Sequence, residues 1–115
     1  MENSPRQDSL RNFLSNVPER LPEEWFESLV TDPHVRIERI VSLGHCSAPD
    51  FWYDQPQDEW VMVIKGHAIL QFEDRTLTMQ AGDYVQIPAR TPHRVKWTTP
   101  DEPTIWLAVH YGSPG

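Results

Sequence analysis

The feature that most constrains the fold of this chain is the spacing of its short apolar segments from Val35 onward. In the segment that begins at Val35, apolar side chains alternate with polar ones, and this period of two is typical of a strand with one buried face. Such segments recur about every 8 to 12 residues, with turns rich in proline, glycine and aspartate between them. This spacing predicts an antiparallel sandwich or barrel.

The predicted elements divide the chain into two parts. Near Glu23 to Val30 we predict a short helix, because Pro22 suits the first helical position and acidic residues suit the first turn. The predicted strands follow it: Val35–Leu43, Phe51–Tyr53, Trp60–Lys65, His67–Phe72, Arg75–Met79, Tyr84–Ile87, His93–Trp97 and Thr104–Tyr111. We therefore predict an N-terminal arm with a short helix, residues 1–34, and a barrel domain, residues 35–115.

Composition excludes several classes of function. The chain has 115 residues, enough for one domain, and carries 10 basic against 17 acidic side chains. A nucleic-acid binder or a protein that binds anionic membranes needs a basic face, so we predict neither partner. Cys46 is the single cysteine, and neither a signal peptide nor a membrane-spanning apolar run is present. These features predict a cytoplasmic protein.

Two segments resemble the motifs of the cupin family. Residues 82–93, GDYVQIPARTPH, match the second cupin motif at its first glycine, its proline and its histidine, with Arg90 in place of the second glycine. Residues 59–66, EWVMVIKG, match the glutamate and the glycine that end the first motif. The resemblance covers residues 35–111. It implies an all-β, jelly-roll-like double-stranded β-helix barrel with a ligand or metal site at its mouth.

Strand alternation predicts that Glu59 and His93 point into this barrel. Successive side chains of a strand lie on opposite faces, so His93 shares a face with Val95 and Trp97. Glu59 likewise shares a face with Val61. The predicted interior is therefore apolar, with one carboxylate and one imidazole near the mouth.

The resemblance also implies a metal site, but this chain lacks part of the family's usual set of metal ligands. In metal-binding cupins the glutamate and the second-motif histidine, here Glu59 and His93, join two histidines just upstream; residues 52–55 here read WYDQ, without histidine. A metal would then use Asp54, Glu59 and His93. This donor set suits a hard divalent ion such as Mn²⁺ or Fe²⁺, with nickel and zinc as further candidates. The alternative is a metal-free pair in which Glu59 and His93 join two strands.

Aromatic and amide side chains indicate a pocket for an organic ligand. Apolar walls with a few polar groups are typical of such pockets. The candidate ligand-binding residues are Trp52, Tyr53, Gln55 and Trp97. The alternative is that Trp52 fills the barrel or forms a dimer face.

The remaining histidines and the cysteine have weaker predictions. His45 and His110 could add nitrogen ligands, and His110 is also explained as a hydrogen-bonded histidine at the end of the barrel. His34 and His67 are interpreted as solvated turn residues. Cys46 is interpreted as a small buried filler.

Three functions remain open at this point. The first is a metal-dependent enzyme, such as a dioxygenase, isomerase, decarboxylase or lyase, acting on a small acid, sugar or aromatic compound, with Tyr53 or Gln55 orienting the substrate. The second is a non-catalytic, metal-free module that binds or senses a small molecule. The third is a structural dimer without a ligand. Trp60, Met62 and Ile64 face away from the barrel interior and predict a homodimer.

Overall fold

The computed structural model describes residues 10–113, and these residues form an all-β fold of two sheets. The strands are β1 (Trp25–Asp32), β2 (Val35–Ser42), β3 (Asp58–Lys65), β4 (His67–Phe72), β5 (Thr76–Gln80), β6 (Tyr84–Ile87), β7 (His93–Thr98) and β8 (Thr104–Tyr111). One sheet has the order β1-β2-β8-β3-β6 and the other β5-β4-β7, with every pair antiparallel. The predicted all-β, jelly-roll-like barrel is confirmed.

The core lies between the two sheets, on the inward faces of their strands. Along β3, Glu59, Val61 and Val63 are buried while their neighbours are partly exposed, as strand alternation predicts. The buried apolar cluster draws on six strands and comprises Val61, Val63, Ala68, Leu70, Phe72, Met79, Ile87, Val95, Trp106 and Ala108. Both sheets therefore contribute side chains to one continuous core.

The predicted helix near Glu23 to Val30 is wrong. Trp25–Asp32 forms β1, which pairs with β2 in a hairpin that turns at residues 33–34. The aromatic and β-branched residues of this segment suit a strand. Hydrogen bonds to β2 outweigh the spacing of Trp25, Phe26 and Leu29, which would also suit the apolar face of a helix. The predicted division of the chain into an arm, residues 1–34, and a barrel domain, residues 35–115, stays a prediction. Residues 1–9 of the arm and residues 114–115 of the barrel domain lie outside the described residues.

A β-bulge at Lys96 changes which side chains of β7 point into the core after that position. Val95 and Trp97 pair with consecutive residues of β4, so Lys96 has no partner in the ladder. Because an inserted residue shifts the period of two by one position, Thr98 is buried beyond the bulge and Trp97 is 42 % exposed. The prediction that Trp97 shares the inward face of His93 is therefore wrong.

The segment between β2 and β3, residues 43–57, runs along β7 without forming a strand. The predicted strand Phe51–Tyr53 is reduced to one bridge, in which the Tyr53 amide donates to the His93 carbonyl at 2.7 Å and the His93 amide donates back at 3.0 Å. Cys46 lies on the outer side of this segment and is exposed, so its interpretation as a buried filler is wrong. The bridge holds Tyr53 beside the first residue of β7.

The outer face of β3 is partly covered within the chain. Trp60, Met62 and Ile64 are half-buried, and the Trp60 ring lies 5.2 Å from the Tyr84 ring between centroids. The homodimer that this face suggests stays a prediction. None of the described residues forms a helix long and apolar enough to cross a membrane.

Candidate functional site

A small cavity lies between the sheets, at the end of the barrel where β3 and β7 begin and β6 and β8 end. Its volume is about 60 Å³. The apolar wall consists of Phe26, Ile40, Val61, Leu70, Ile87, Val95 and Trp106, and the polar wall of Glu24, Glu38, Tyr53, Gln55, Glu59, His93 and His110. One water needs about 10–15 Å³ of such space, so the cavity has room for several waters or a small ligand.

The first polar feature of this wall is a buried contact between Glu59 and His93. His93 Nε2 lies 3.2 Å from Glu59 Oε1, and their side chains are only 7 % and 10 % exposed. His93 Nδ1 lies 2.9 Å from the Thr91 carbonyl oxygen, so this nitrogen carries a proton and donates it. The contact between Nε2 and the carboxylate then requires a second proton, which the two groups share.

The surroundings favour placing that second proton on His93. Burial disfavours the charged imidazolium, but the hydrogen bonds to Glu59 and to the Thr91 carbonyl outweigh it and raise the pKa of His93 above its ordinary value. The contact with Glu59 therefore favours the imidazolium form of His93. Such a pair can give a proton to a bound molecule or accept one from it.

A second pair, Glu38 with His110, lies next to the first. His110 Nε2 is 3.3 Å from Glu38 Oε1. This hydrogen bond lowers the pKa of Glu38 despite its partial burial, and Arg36 adds to the effect. Glu59 and His110 are direct partners in the β3–β8 ladder, so the two pairs share one wall of the cavity.

Two further groups adjust the polarity of the cavity. Burial raises the pKa of Glu24, although its Oε2 accepts a hydrogen bond of 2.5 Å from the Ser42 hydroxyl. Burial and the surrounding acids, Glu24 first among them, raise the pKa of Tyr53 to about 12. Tyr53 therefore keeps its proton at neutral pH and can donate a hydrogen bond.

Comparison with known proteins identifies the family of this barrel. A family model described as the cupin domain matches residues 40–110. The chain belongs to the cupin family. A search of curated protein sequences gave no significant match.

Solved structures support the same assignment. A protein from Ralstonia eutropha JMP134, provisionally named a mannose-6-phosphate isomerase, is 45 % identical over 90 % of this cupin and 98 % of its own chain, with a TM-score of 0.86. A cupin superfamily protein from Desulfitobacterium hafniense DCB-2 is 16 % identical over 83 % of each chain, with a TM-score of 0.71. A cupin family protein with a double-stranded β-helix fold from Methanocaldococcus jannaschii is 20 % identical over 85 % of this chain and 88 % of its own, with a TM-score of 0.68. The last two show the fold alone.

The cupin brings together only some of the predicted site residues. Those on the cavity wall are Tyr53, Gln55, Glu59 and His93. Asp54 lies at the surface, 51 % exposed, with its carboxylate 3.6 Å from Arg90 Nη1. The guanidinium carbon of Arg94 lies 6.0 Å from the centroid of the Trp52 ring. The bulge turns Trp97 outward. These three side chains do not line the cavity.

Sequence reasoning missed Glu38 as a residue of the cavity wall and treated His110 only as a weak candidate. His110 has the same strand parity as Trp106 and Ala108, which are both buried, and this parity was the available signal. No comparable signal exists for Glu38, since its contact depends on the register between β2 and β8. His45 lies away from the cavity, where both of its ring nitrogens bond to backbone atoms.

The donor set of this cupin does not fit a metal ion in the arrangement observed. In the part of the chain that the structure describes, no three His, Cys, Asp or Glu side chains are grouped so as to hold one. The Nε2 atoms of His93 and His110 each face a carboxylate oxygen instead, and Asp54 faces Arg90. The residues present therefore form ion pairs.

The two Glu–His pairs predict a stability optimum in mildly acidic solution. Glu38 has a folded pKa below its ordinary 4.5, so its pair contributes stability above pH 4.5 that is lost as the pH falls through the folded value. His93 has a folded pKa above its ordinary 6.5, so its pair contributes fully below pH 6.5 and less as the pH rises through the folded value. Glu24 has a folded pKa above its ordinary 4.5, so its contribution also declines with rising pH, but from about pH 4.5 upward, and it moves the optimum toward the acidic end of this range.

Urea denaturation at a series of pH values checks this expectation. The free energy of unfolding should be largest between pH 4.5 and 6.5 and should decline on both sides. A His93→Gln variant cannot carry the imidazolium charge, so its decline above pH 6.5 should be smaller. Equal declines in both proteins would contradict the assignment to His93.

Proposed function

We propose that this cupin binds a small organic molecule in the barrel cavity, and that the Glu59–His93 and Glu38–His110 pairs are its polar recognition groups. The observation that carries the proposal is the presence of two Glu–His pairs, one buried and one partly buried, on the wall of one cavity whose other residues are largely apolar. Ligand pockets commonly combine apolar walls with a few placed polar groups. Tyr53 and Gln55 complete the polar part of the wall.

A second candidate function is a metal-dependent enzyme, favoured by the 45 % identity to the Ralstonia protein named as an isomerase. In that case Glu59, His93 and His110 would have to release their present partners and turn toward a divalent ion such as Mn²⁺, Fe²⁺, Ni²⁺ or Zn²⁺. Asp54 would have to leave Arg90 to join them. The ion pairs observed favour the first candidate.

A phosphorylated sugar, the compound in the name of the Ralstonia protein, suits this cavity poorly. No lysine or arginine within residues 10–113 lines the wall. Pockets for drug-sized molecules measure about 300–1,000 Å³, several times the 60 Å³ available here. A smaller molecule without a phosphate group fits both the size and the charge of the cavity.

A thermal-shift screen of small organic molecules tests the binding function. A molecule that binds only the folded state raises the melting temperature, and this rise should disappear in a Val61→Phe variant, whose larger side chain fills the cavity. Met62→Phe, on the opposite face of the same strand, is the matched control and should keep the response. Shifts that persist in Val61→Phe, or a screen without any shift, would contradict the proposal.

Mass spectrometry of metal content, on protein purified without a histidine tag, separates the two candidates. The first candidate predicts far less than one ion per chain, with no change in Glu59→Gln. Near-stoichiometric metal that is lost in Glu59→Gln would favour the metal-dependent enzyme instead.

A further inference from the structure

The charge balance around the cavity indicates which class of ligand it accepts. Three carboxyl groups, those of Glu24, Glu38 and Glu59, line the wall together with the two imidazoles of His93 and His110. Each imidazole already faces a carboxylate, at 3.2 Å and 3.3 Å. An anionic ligand would therefore meet an excess of acidic groups and no cation free of a partner in this wall.

The arginine that is buried among the described residues is directed elsewhere, and Arg36, 3.5 Å from Glu38 Oε2, is already in an ion pair and does not line the wall. Arg39 is 4 % exposed, but its guanidinium forms an ion pair of 3.0 Å with Glu27 and donates from Nη1 to the carbonyl oxygens of Phe13 and Ser15. It is absent from the cavity wall. Within the described residues, the cavity wall thus has no lysine or arginine, and its two imidazoles already face carboxylates, so a carboxylate or phosphate ligand would find no free basic partner there.

The wall also offers an unused hydrogen-bond acceptor. Gln55 Oε1 is buried and has no hydrogen-bond partner among the described residues, although Gln55 lines the cavity. A buried acceptor without a partner destabilises the folded protein, so a ligand that donates a hydrogen bond to it would recover part of that free energy. The Glu59 and Glu38 carboxylates on the same wall are acceptors as well.

From these observations we infer that the cavity selects small ligands that donate hydrogen bonds and carry a positive charge or none, and that Gln55 Oε1 accepts one of these hydrogen bonds. This inference rests on the proposed binding function and specifies its ligand class. Because Val61, Leu70 and Ile87 form part of the apolar wall, we expect the ligand to have a short aliphatic part as well. Small amines, amidines and amides have this chemistry, whereas carboxylates and phosphates do not.

Three compounds of almost identical shape test the inference: isobutyramidinium, isobutyramide and isobutyrate, which differ in charge and in hydrogen-bond donors. Each is titrated at pH 7 while nuclear magnetic resonance follows the imidazole signals of His93 and His110 and the indole signal of Trp106. We expect isobutyramidinium to bind at least tenfold more tightly than isobutyrate, with isobutyramide between them. Isobutyrate binding as tightly as isobutyramidinium would overturn the ligand class and leave the binding function standing.

Two further outcomes separate the inference from the proposed function. If none of the three compounds shifts any of these signals, and the thermal-shift screen is also negative, the binding function itself fails. Gln55→Met keeps the length of the side chain but removes the acceptor, and should weaken isobutyramidinium binding about tenfold. Gln80→Met, at an exposed position of β5, is the matched control and should have no effect. Equal affinities in the two variants would overturn the role of Gln55.

Discussion

His93→Ala is expected to lower the free energy of unfolding by about 3–5 kcal/mol, the cost of leaving one member of a buried ion pair without its partner. Glu59 is only 8 % exposed, and its Oε1 loses the His93 nitrogen at 3.2 Å. Urea denaturation at pH 6 measures the loss, because this pH lies below the raised pKa of His93. The exposed His67 provides the control, because His67→Ala should change stability by less than about 0.5 kcal/mol.

A double variant identifies the origin of this loss. Replacing a buried ion pair by apolar side chains of similar volume is often neutral or stabilising, so Glu59→Met combined with His93→Leu should recover most of the stability lost in His93→Ala. If the double variant is as unstable as the single one, the loss comes from packing and the stranded carboxylate is not its cause.

Gly66→Ala is expected to cost about 2–5 kcal/mol, because two unfavourable effects coincide at this position. The backbone φ of Gly66 is +97°, in the region that residues with a Cβ rarely adopt. An added Cβ would also press against Thr104 Oγ1 and lie 2.7 Å from Thr104 Cα. Thr104 begins β8, which lies between β2 and β3 in its sheet, so its backbone has little freedom to move away.

Gly82→Ala is the matched control for this prediction. Its φ of +94° is nearly the same, but no atom lies within 4 Å of the position where a Cβ would be placed. Only the backbone effect remains, about 1–2 kcal/mol. Urea denaturation of both variants therefore separates backbone strain from steric overlap, and equal losses would contradict the steric part of the argument.

The barrel strands could be predicted from the sequence because their signals are local. Three strands, β4, β6 and β8, have the predicted bounds. The second cupin motif also predicts a left-handed backbone conformation at the position of its second glycine. Arg90 stands where the motif has a glycine, and its φ of 60° shows that the left-handed conformation is kept when the residue changes.

The parts that could not be predicted depend on contacts between distant segments. β1 is a strand because β2 pairs with it, although its own apolar spacing resembles that of a helix. The Glu38–His110 contact depends on the register of β2 against β8, which the period of each strand alone does not fix. Of the seven polar residues of the cavity wall, Glu24 and Glu38 were not predicted from the sequence, while Glu59 and His93 followed from a motif and from alternation.

The bulge at Lys96 affects both the core of the barrel and residues 43–57, the segment that contributes Tyr53 and Gln55 to the cavity wall. Beyond the bulge, Thr98 turns inward and its hydroxyl donates to the His45 carbonyl at 2.5 Å, in the same segment that carries Tyr53 and Gln55. A descendant that lost this one residue would turn Trp97 inward and Thr98 outward together, giving up the anchor of the segment while crowding the core. In evolution, then, the length of β7 should be far less free to change than the identity of its exposed residues.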